Sequence, residues 1–563
     1  MNTENIKNKF SLLAIISGFL ILFPGMNCLQ AQTVQKERKA ESLVAFTDRN
    51  MYISGEKVRF AVYDYSKDTL GNVSTVVYGE IITPDGAQVA GGKYEFKNRK
   101  SAGCLTIPRD QISGNYYLRV YTKYLRNFGP DHFYYVPITI VNPLSSNVME
   151  SGDTTGVHTA VENGFTDHIT IATGQKAYSP HQQIDMNIGT QSMDTQNVLG
   201  LSLSIVPQQA SPAVGFTPNS GDADFSHFTY YPESRGPAIS GIVKDSITGK
   251  PIPAVTVNLS IIGKGRDFMA AQTDKNGHFN LSLPFLDGSR DLFISSGSTS
   301  DRHPQIWVDN DFSTANYSLP THPFNMSESQ KEEALKMARN QQVSSLFVHD
   351  TVPCHILLKQ NDTSAFYGTP SYVLNLSDYI QLPTIEEYCN ELPTQLKVRK
   401  KDGKKYFKIL GPQPGMEYFK PLVLVDMVAI DNPELILHAA PSEFSRIDVV
   451  NKIYVKGDFT YGGVVNFISK RNDFAGIDLP NSGLFIHYLF LSDTCHCQPI
   501  TPPDNKPDAR NTVYWNPNVK LDKQVTKIAV KAPDTPGTYT IIVQGVTKDG
   551  KTIIQKTNIT VNK

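Results

Sequence analysis

The residues of this chain best suited to metal or redox chemistry stand together at Cys495-His496-Cys497. Thiolate and imidazole side chains at such spacing ligate zinc, but a closed site needs four ligands in a tetrahedron. No matching Cys/His pair follows at finger or ribbon spacing. The cluster therefore reads either as a loop with a chance grouping or as a metal or redox site. Cys28, Cys104, Cys354 and Cys389 are scattered singly; setting Cys28 aside, five cysteines remain, an odd number that does not read as a disulfide framework. Asp274 has the chemistry of a calcium ligand, yet beside Asn276-Gly277 it reads better as a turn residue. Signatures for nucleophile elbows, phosphate loops, zinc peptidases and dinucleotide sites are absent from the sequence. No catalytic, cofactor-binding or metal residue is assigned. A site assembled from distant residues leaves no motif, so a hydrolase with an unrecognised site stands as an alternative.

The frame that must position any site is large. The chain has 563 residues, and at about 100–200 residues per domain that implies three to five domains. Its 53 basic and 54 acidic side chains balance, so no bulk field points to nucleic acid or to anionic lipid. Lys7 and Lys9 precede an apolar run over residues 10–23, too short to span a bilayer comfortably. Small and polar residues follow at Asn27-Cys28-Leu29-Gln30-Ala31-Gln32. The segment 1–31 reads as a signal peptide cleaved after Ala31. Lipid attachment at Cys28 is the rival, disfavoured by Asn27 where a lipoprotein signal carries a small residue; an uncleaved anchor helix is the third reading.

Beyond the leader, β-structure dominates. Val58, Phe60 and Val62 alternate with Lys57, Arg59 and Ala61 as a strand with one buried face, launched by the turn Ser54-Gly55-Glu56. A second period-two run follows Gly114 through Tyr116, Leu118 and Val120, and a last strand covers Val136 to Val141. With Asp48, Tyr52, Gly55, Glu56, Gly114, Tyr116 and Tyr121-Thr122 as carrying residues, 42–142 resembles a macroglobulin-type (MG) sandwich domain. Residues 165–207 repeat the theme more faintly, as an internal repeat of architecture.

From Gly236, the runs Ile239-Ser240-Gly241-Ile242-Val243 and Thr256-Val257 lead to Asn276-Gly277, the strongest short hairpin signal. This segment resembles the carboxypeptidase regulatory-like domain, a transthyretin-like sandwich that carries no zinc of its own. A helix follows. Ser327-Glu328-Ser329-Gln330 makes a capping box, and Glu332, Glu333, Leu335, Met337 and Ala338 continue at helical spacing to about Gln342. It is expected to pack its Leu335 side on a neighbour; a partner-binding helix is the alternative.

The strand Leu422-Val423-Leu424-Val425-Asp426, the helix start Thr384-Ile385-Glu386-Glu387, the strand Arg446-Ile447-Asp448-Val449-Val450 and the run Tyr461-Gly462-Gly463-Val464-Val465-Asn466 together resemble the plug domain of TonB-dependent receptors. Met427 departs from the family's Gly, so this turn either differs or carries strain if φ is positive. About 90 residues follow Lys470, too few for a receptor barrel of about 22 strands of roughly 9–11 residues. The tail, with Tyr514-Trp515-Asn516-Pro517 and 528–550, resembles a macroglobulin segment. The family's thioester loop is absent, so covalent trapping through it is excluded. Trp515 reads as a core anchor.

The expected fold class is mainly β: serial β-sandwich domains, MG-like and transthyretin-like, plus one small α+β plug-like domain. The expected division is signal peptide 1–31, MG-like sandwich 32–143, second MG-like sandwich 144–235, carboxypeptidase regulatory-like sandwich 236–315, helical connector 316–350, plug-like α+β domain 351–472 and C-terminal macroglobulin-like β segment 473–563. Taken together the resemblances imply a bacterial, Bacteroidetes-like envelope protein, exported to the periplasm, outer membrane or cell surface. It would be a non-enzymatic binding or scaffolding module, without cofactor, whose partners are envelope proteins or glycans and not nucleic acid. The alternative is an accessory component of TonB-dependent outer-membrane uptake, partnered by a receptor or the TonB system.

Overall fold

The computed structural model describes residues 39–563 apart from 67–73, 151–168, 191–196, 219–228, 264–265, 298–301, 348–364, 481, 493, 495–496, 504 and 522–524. The expected leader with Cys28, together with Cys354, Cys495 and His496, lies outside the described residues. Residues 40–563 form one compact unit of mainly β structure.

The first sandwich follows the alternation read from the sequence. The strand Lys57–Asp64 lies between Leu43–Thr47 and Lys100–Thr106. It faces a five-stranded sheet ordered Met51–Ile53, Tyr134–Val141, Gly114–Tyr121, Val76–Ile82 and Gln88–Glu95. Val58, Phe60 and Val62 are fully buried, and so is Ala61 on the opposite face, because other elements cover the outside of the three-stranded sheet. Gly55 adopts φ 91°, the conformation that the turn before this strand requires and that suits Gly.

The second sandwich corrects the expected domain limits. Residues 144–235 and 473–563 were expected as separate units, yet their strands hydrogen-bond within the same sheets. Gln183–Thr190 pairs antiparallel with Val525–Lys531 on one edge and with Ile169–Thr173 on the other. Val198–Pro207 pairs antiparallel with Gly537–Thr547, as in Leu203 opposite Val543. The two segments also share one core, in which Ile184, Ile188, Leu203 and Ile205 meet Val530, Ile541 and Val543. Each segment alone leaves an apolar face and an unpaired edge, and closing one on the other removes both.

Insertion is nested. The third sandwich stacks the sheet His278–Ser282, Ala238–Asp245, Pro304–Val308 on the sheet Phe268–Gln272, Thr256–Ile262, Ser289–Ser296, Leu484–Leu489. Its last strand returns after the α+β unit and pairs Phe485 opposite Phe293, so the limit at 315 is also corrected. The Asn276-Gly277 turn does not close a hairpin. Its flanking strands, Phe268–Gln272 and His278–Ser282, belong to opposite sheets, so the turn crosses the sandwich.

The α+β unit is built on a sheet ordered Tyr372–Asn375, Phe444–Val450, Val464–Ser469, Leu422–Val425, Val428–Ala429. The helix Ile385–Glu391, capped by Thr384 accepting from the Glu387 amide at 3.2 Å, packs on it. Its core runs on through Ile477 and Leu479, past the expected limit at 472.

The helix Glu328–Phe347 carries the expected capping box: Ser327 Oγ accepts from the Gln330 amide at 3.3 Å, and Gln330 Oε1 accepts from the Ser327 amide at 2.9 Å. The face it buries differs from the expected one. Leu335 is 57% exposed, whereas Ala334, Met337 and Ala338 pack on Met51, Ile53 and Ala210. Two alanines on that face let the helix axis approach the strand closely, which a branched Leu at the same place would prevent.

Candidate functional site

Two clusters of buried acids and bases lie at the seams between units. At the first seam, Asp48 lies at the end of Leu43–Thr47 and is fully buried. Its Oδ1 accepts from the Tyr52 hydroxyl at 2.7 Å and the Arg59 amide at 3.1 Å, and its Oδ2 from Thr512 Oγ1 at 2.6 Å. Arg49 pairs with Glu56 at 2.9 Å and lies 4.6 Å from the Tyr52 ring centroid. Asn511 Nδ2 donates both to Glu56 Oε1, at 2.8 Å, and to the Met337 carbonyl, at 2.9 Å. First sandwich, helix and C-terminal segment thus meet at one polar cluster. Burial, reinforced by Asp48, pushes the Tyr52 phenol well up, so it stays a donor. The residues Asp48, Tyr52 and Glu56, which carry the MG resemblance, position units and do not face a cleft.

At the second seam the first sandwich meets the third. Lys93 and Lys123 are buried; Lys93 Nζ pairs with Asp311 and stands 3.7 Å from the Tyr488 ring centroid. Lys123 Nζ donates to the Ala238 carbonyl at 2.5 Å and lies 3.5 Å from Asp311 Oδ1. Glu233 accepts from the Tyr78 hydroxyl at 3.0 Å and the Ala238 amide at 2.7 Å. Burial raises the Glu233 carboxyl to about 7, against the opposing pull of Lys123, and lowers the Lys93 ammonium. Beside them, Arg119 pairs with Glu80 at 2.7 Å, both groups buried, and donates to the Ser313 and Ala315 carbonyls. Lys93, Lys123 and Arg119 reach across this seam to the neighbouring unit, whereas Glu80 pairs with Arg119 inside the first sandwich.

A disulfide joins Cys104, on the strand Lys100–Thr106, to Cys497, 393 residues later. Arg59 Nε donates to the Cys497 carbonyl at 2.6 Å. One of the two cysteines of the Cys495-His496-Cys497 cluster is thus covalently paired far away, a pairing that spacing along the chain does not reveal. Cys389 is a free thiol, buried in the α+β core. Among the described residues no group of three or more His, Cys, Asp or Glu side chains is placed to hold a metal. Asp274 serves its turn, its Oδ1 accepting from the Asn276 amide at 2.8 Å and the His278 amide at 2.9 Å.

A shallow hollow of about 270 Å³ opens on the third sandwich, lined by Lys244, Asp245, Ser246, Gly249, Gln305 and Trp307. Trp307 is 55% exposed on the outer face of Pro304–Val308, whereas Trp515 is 2% exposed inside the core. Asp245 is held near 2 by backbone amides of His303 and Thr248, so a permanent carboxylate lies beside the indole. The signal for Trp307 in the sequence is the alternation Gln305-Ile306-Trp307, which turns Ile306 inward and the indole out.

No family model matches the chain, and no curated protein matches it. Among solved structures it is similar to a Salmonella alpha-2-macroglobulin mutant (9% identity, 93% of this chain and 40% of that chain, TM-score 0.23). It is also similar to Escherichia coli alpha-2-macroglobulin activated by porcine elastase (10% identity, 93% and 44%, TM-score 0.21). The D0-D1 domain of Intimin matches 46% of this chain at 11% identity and TM-score 0.13. The chain spans about two fifths of the length of these macroglobulin chains.

Proposed function

We propose that the chain is an exported, non-enzymatic protein of a bacterial cell envelope, working as a rigid binding or scaffolding module. The observation that carries this reading is the Cys104–Cys497 bond. Disulfides persist in oxidising compartments and are rare in the bacterial cytosol, and this one fastens the returning chain to the edge of the first sandwich. The buried seams support the same reading, since charges placed there fix the units relative to one another. The third sandwich is read as a carboxypeptidase regulatory-like module and the α+β unit as a plug-like domain. The Trp307 hollow, an indole face flanked by Lys244, Asp245 and Gln305, suits a sugar ring or a polar protein loop.

Association with TonB-dependent uptake is the second reading. It is favoured by the strands of the plug resemblance, Phe444–Val450, Val464–Ser469 and Leu422–Val425, lying side by side in one sheet.

The test is a C-terminally tagged chain crosslinked in intact cells of the native host, followed by envelope fractionation and identification of co-purifying molecules. Envelope proteins or glycans, lost in Trp307→Ala, are the expected result. A receptor barrel or the TonB system would move the assignment to the second reading. A cytosolic chain whose Cys104 and Cys497 alkylate without reductant would overturn both.

A further inference from the structure

A balanced total charge conceals one strongly cationic element. Residues 397–408 hold seven Lys and Arg side chains against the single acid Asp402. They form an antiparallel hairpin, Leu396–Lys401 with Lys404–Ile409, closed by Asp402 at φ 49° and Gly403 at φ 80°. Both signs are positive, as a two-residue type I′ turn demands.

Register sorts the side chains. Leu396 opposite Ile409 and Val398 opposite Phe407 point into the α+β core. The other face carries Lys397 opposite Lys408, Arg399 opposite Tyr406, and Lys401 opposite Lys404. Leu410, whose amide donates to the Gln395 carbonyl at 2.7 Å, continues that face. Tyr406 is 39% and Leu410 42% exposed.

Three lysine pairs stand directly opposed: 397/408, 400/405 and 401/404. Like charges so placed destabilise a hairpin. Lys405 is relieved by Glu386 at 2.7 Å. Among the described residues, no carboxylate lies within ion-pair distance of Arg399, Lys400, Lys401, Lys404 or Lys408. The outer face therefore carries four cations, Arg399, Lys401, Lys404 and Lys408, without a carboxylate partner among the described residues and with a phenol and a leucine set among them. Lys397 on the same face donates to the Asn390 carbonyl, and Lys400 lies with Lys405 on the Val398 side.

We propose that this face docks on a membrane leaflet rich in anionic phosphate headgroups. Lysine and arginine stems reach the phosphates while Tyr406 and Leu410 enter the headgroup boundary, the division of labour of interfacial segments. The apolar pair favours a lipid surface over a soluble polyanion, which would be served by charge alone.

The full chain is mixed with vesicles of phosphatidylcholine plus phosphatidylglycerol and with vesicles of phosphatidylcholine alone, and partitioning is measured by co-sedimentation. At about fivefold per cation near the surface, Lys401→Gln with Lys404→Gln should weaken binding to the anionic vesicles roughly 25-fold. Both side chains flank the turn outside the core, so far-UV circular dichroism should be unchanged and the melting temperature equal or slightly higher, because one like-charge pair is relieved. Lys548→Gln with Lys556→Gln, on the second sandwich, should leave binding intact. Raising the salt on the unaltered chain provides an arm independent of any variant, and binding should fall steeply as the Debye length shrinks. Failure to bind the anionic vesicles, equal binding to both vesicle types, or equal partitioning of the turn variant would overturn the proposal. So would retention on soluble polyphosphate without vesicle binding, which would assign the face to an acidic polymer.

Discussion

The Thr512 hydroxyl donates to Asp48 Oδ2 at 2.6 Å, joining residues 464 positions apart. The same carboxylate holds the Tyr52 hydroxyl and the Arg59 amide, and Arg49 and Arg59 lie within 4 Å of it. Thr512→Val removes one donor and should cost about 1–2 kcal/mol. Asp48→Ala removes the buried counter-charge that Arg59 shares with Arg49, which keeps Glu56. It also leaves the Tyr52 and Thr512 hydroxyls without this acceptor, and should cost about 3–5 kcal/mol. Urea midpoints of the two variants check the ordering, and equal costs would show that the carboxylate is not the organising group.

The cysteines give a second measurement. Cys389 is fully buried and its thiol is pushed up by burial, next by Glu386, so little thiolate forms at neutral pH. Native protein treated with iodoacetamide and mapped by mass spectrometry should leave Cys389 unmodified and recover Cys104 linked to Cys497. Alkylation of Cys389 should appear only with denaturant. Labelling in native buffer would mean the α+β core opens readily.

Local features of this fold were legible and non-local ones were not. Val58, Phe60 and Val62 announced a strand, and Ser327 with Gln330 announced a helix start, because both signals lie within a few residues. The pairing of Val198–Pro207 with Gly537–Thr547 depends on two edges brought together over more than three hundred residues, and each half reads alone as an ordinary strand. The helix 328–347 misled for another reason. Its buried stripe includes Gln341, donating to the Ser54 carbonyl at 2.8 Å, and Ser344, donating to the Ala509 carbonyl at 3.0 Å. Hydrophobic spacing cannot register such a stripe. The cationic hairpin was in plain view at 397–408, but averaging charge over the whole chain erased it.

Glu233 sets a pH dependence. Its carboxyl titrates near 7 in the fold against an ordinary 4.5. The folded state therefore holds a proton that the unfolded state has released, and stability falls as pH rises through that window. The contribution is fully present below about 4.5, declines towards 7 and is flat above, for a span of about 3 kcal/mol at most. Denaturant midpoints at pH 5 and pH 8 measure it. Glu233→Gln should shrink the difference, and an unchanged slope would place the titration elsewhere.

The buried face of the helix can be tested by paired truncation. Met337 is fully buried against Met51 and Ile53, so Met337→Ala should cost about 2–5 kcal/mol. Leu335 faces solvent, and Leu335→Ala should change stability by no more than about 0.5 kcal/mol. The reverse order in thermal unfolding would restore the expectation that the Leu335 side packs inward.

Met427 opposes two effects whose balance can be measured. It follows Asp426 in the turn between Leu422–Val425 and Val428–Ala429, with φ 49° at Asp426 and 72° at Met427. A left-handed conformation costs a non-glycine residue about 1–2 kcal/mol. The turn is held regardless: Asp426 accepts from Ser469 Oγ at 2.6 Å and the Phe474 amide at 3.0 Å, and Asn466 Oδ1 accepts from the Met427 amide at 3.2 Å. The Met427 side chain is buried with Phe268 of the third sandwich and with Leu422, Leu424 and Val464 of the α+β unit, so it also seals their seam. Met427→Gly relieves the strain but opens a cavity, and removing a buried Met side chain costs about 2–5 kcal/mol. Packing should win, leaving the variant about 1–3 kcal/mol less stable. Differential scanning calorimetry decides it: a higher melting temperature for the glycine variant would mean that strain at this turn outweighs the seam it fills.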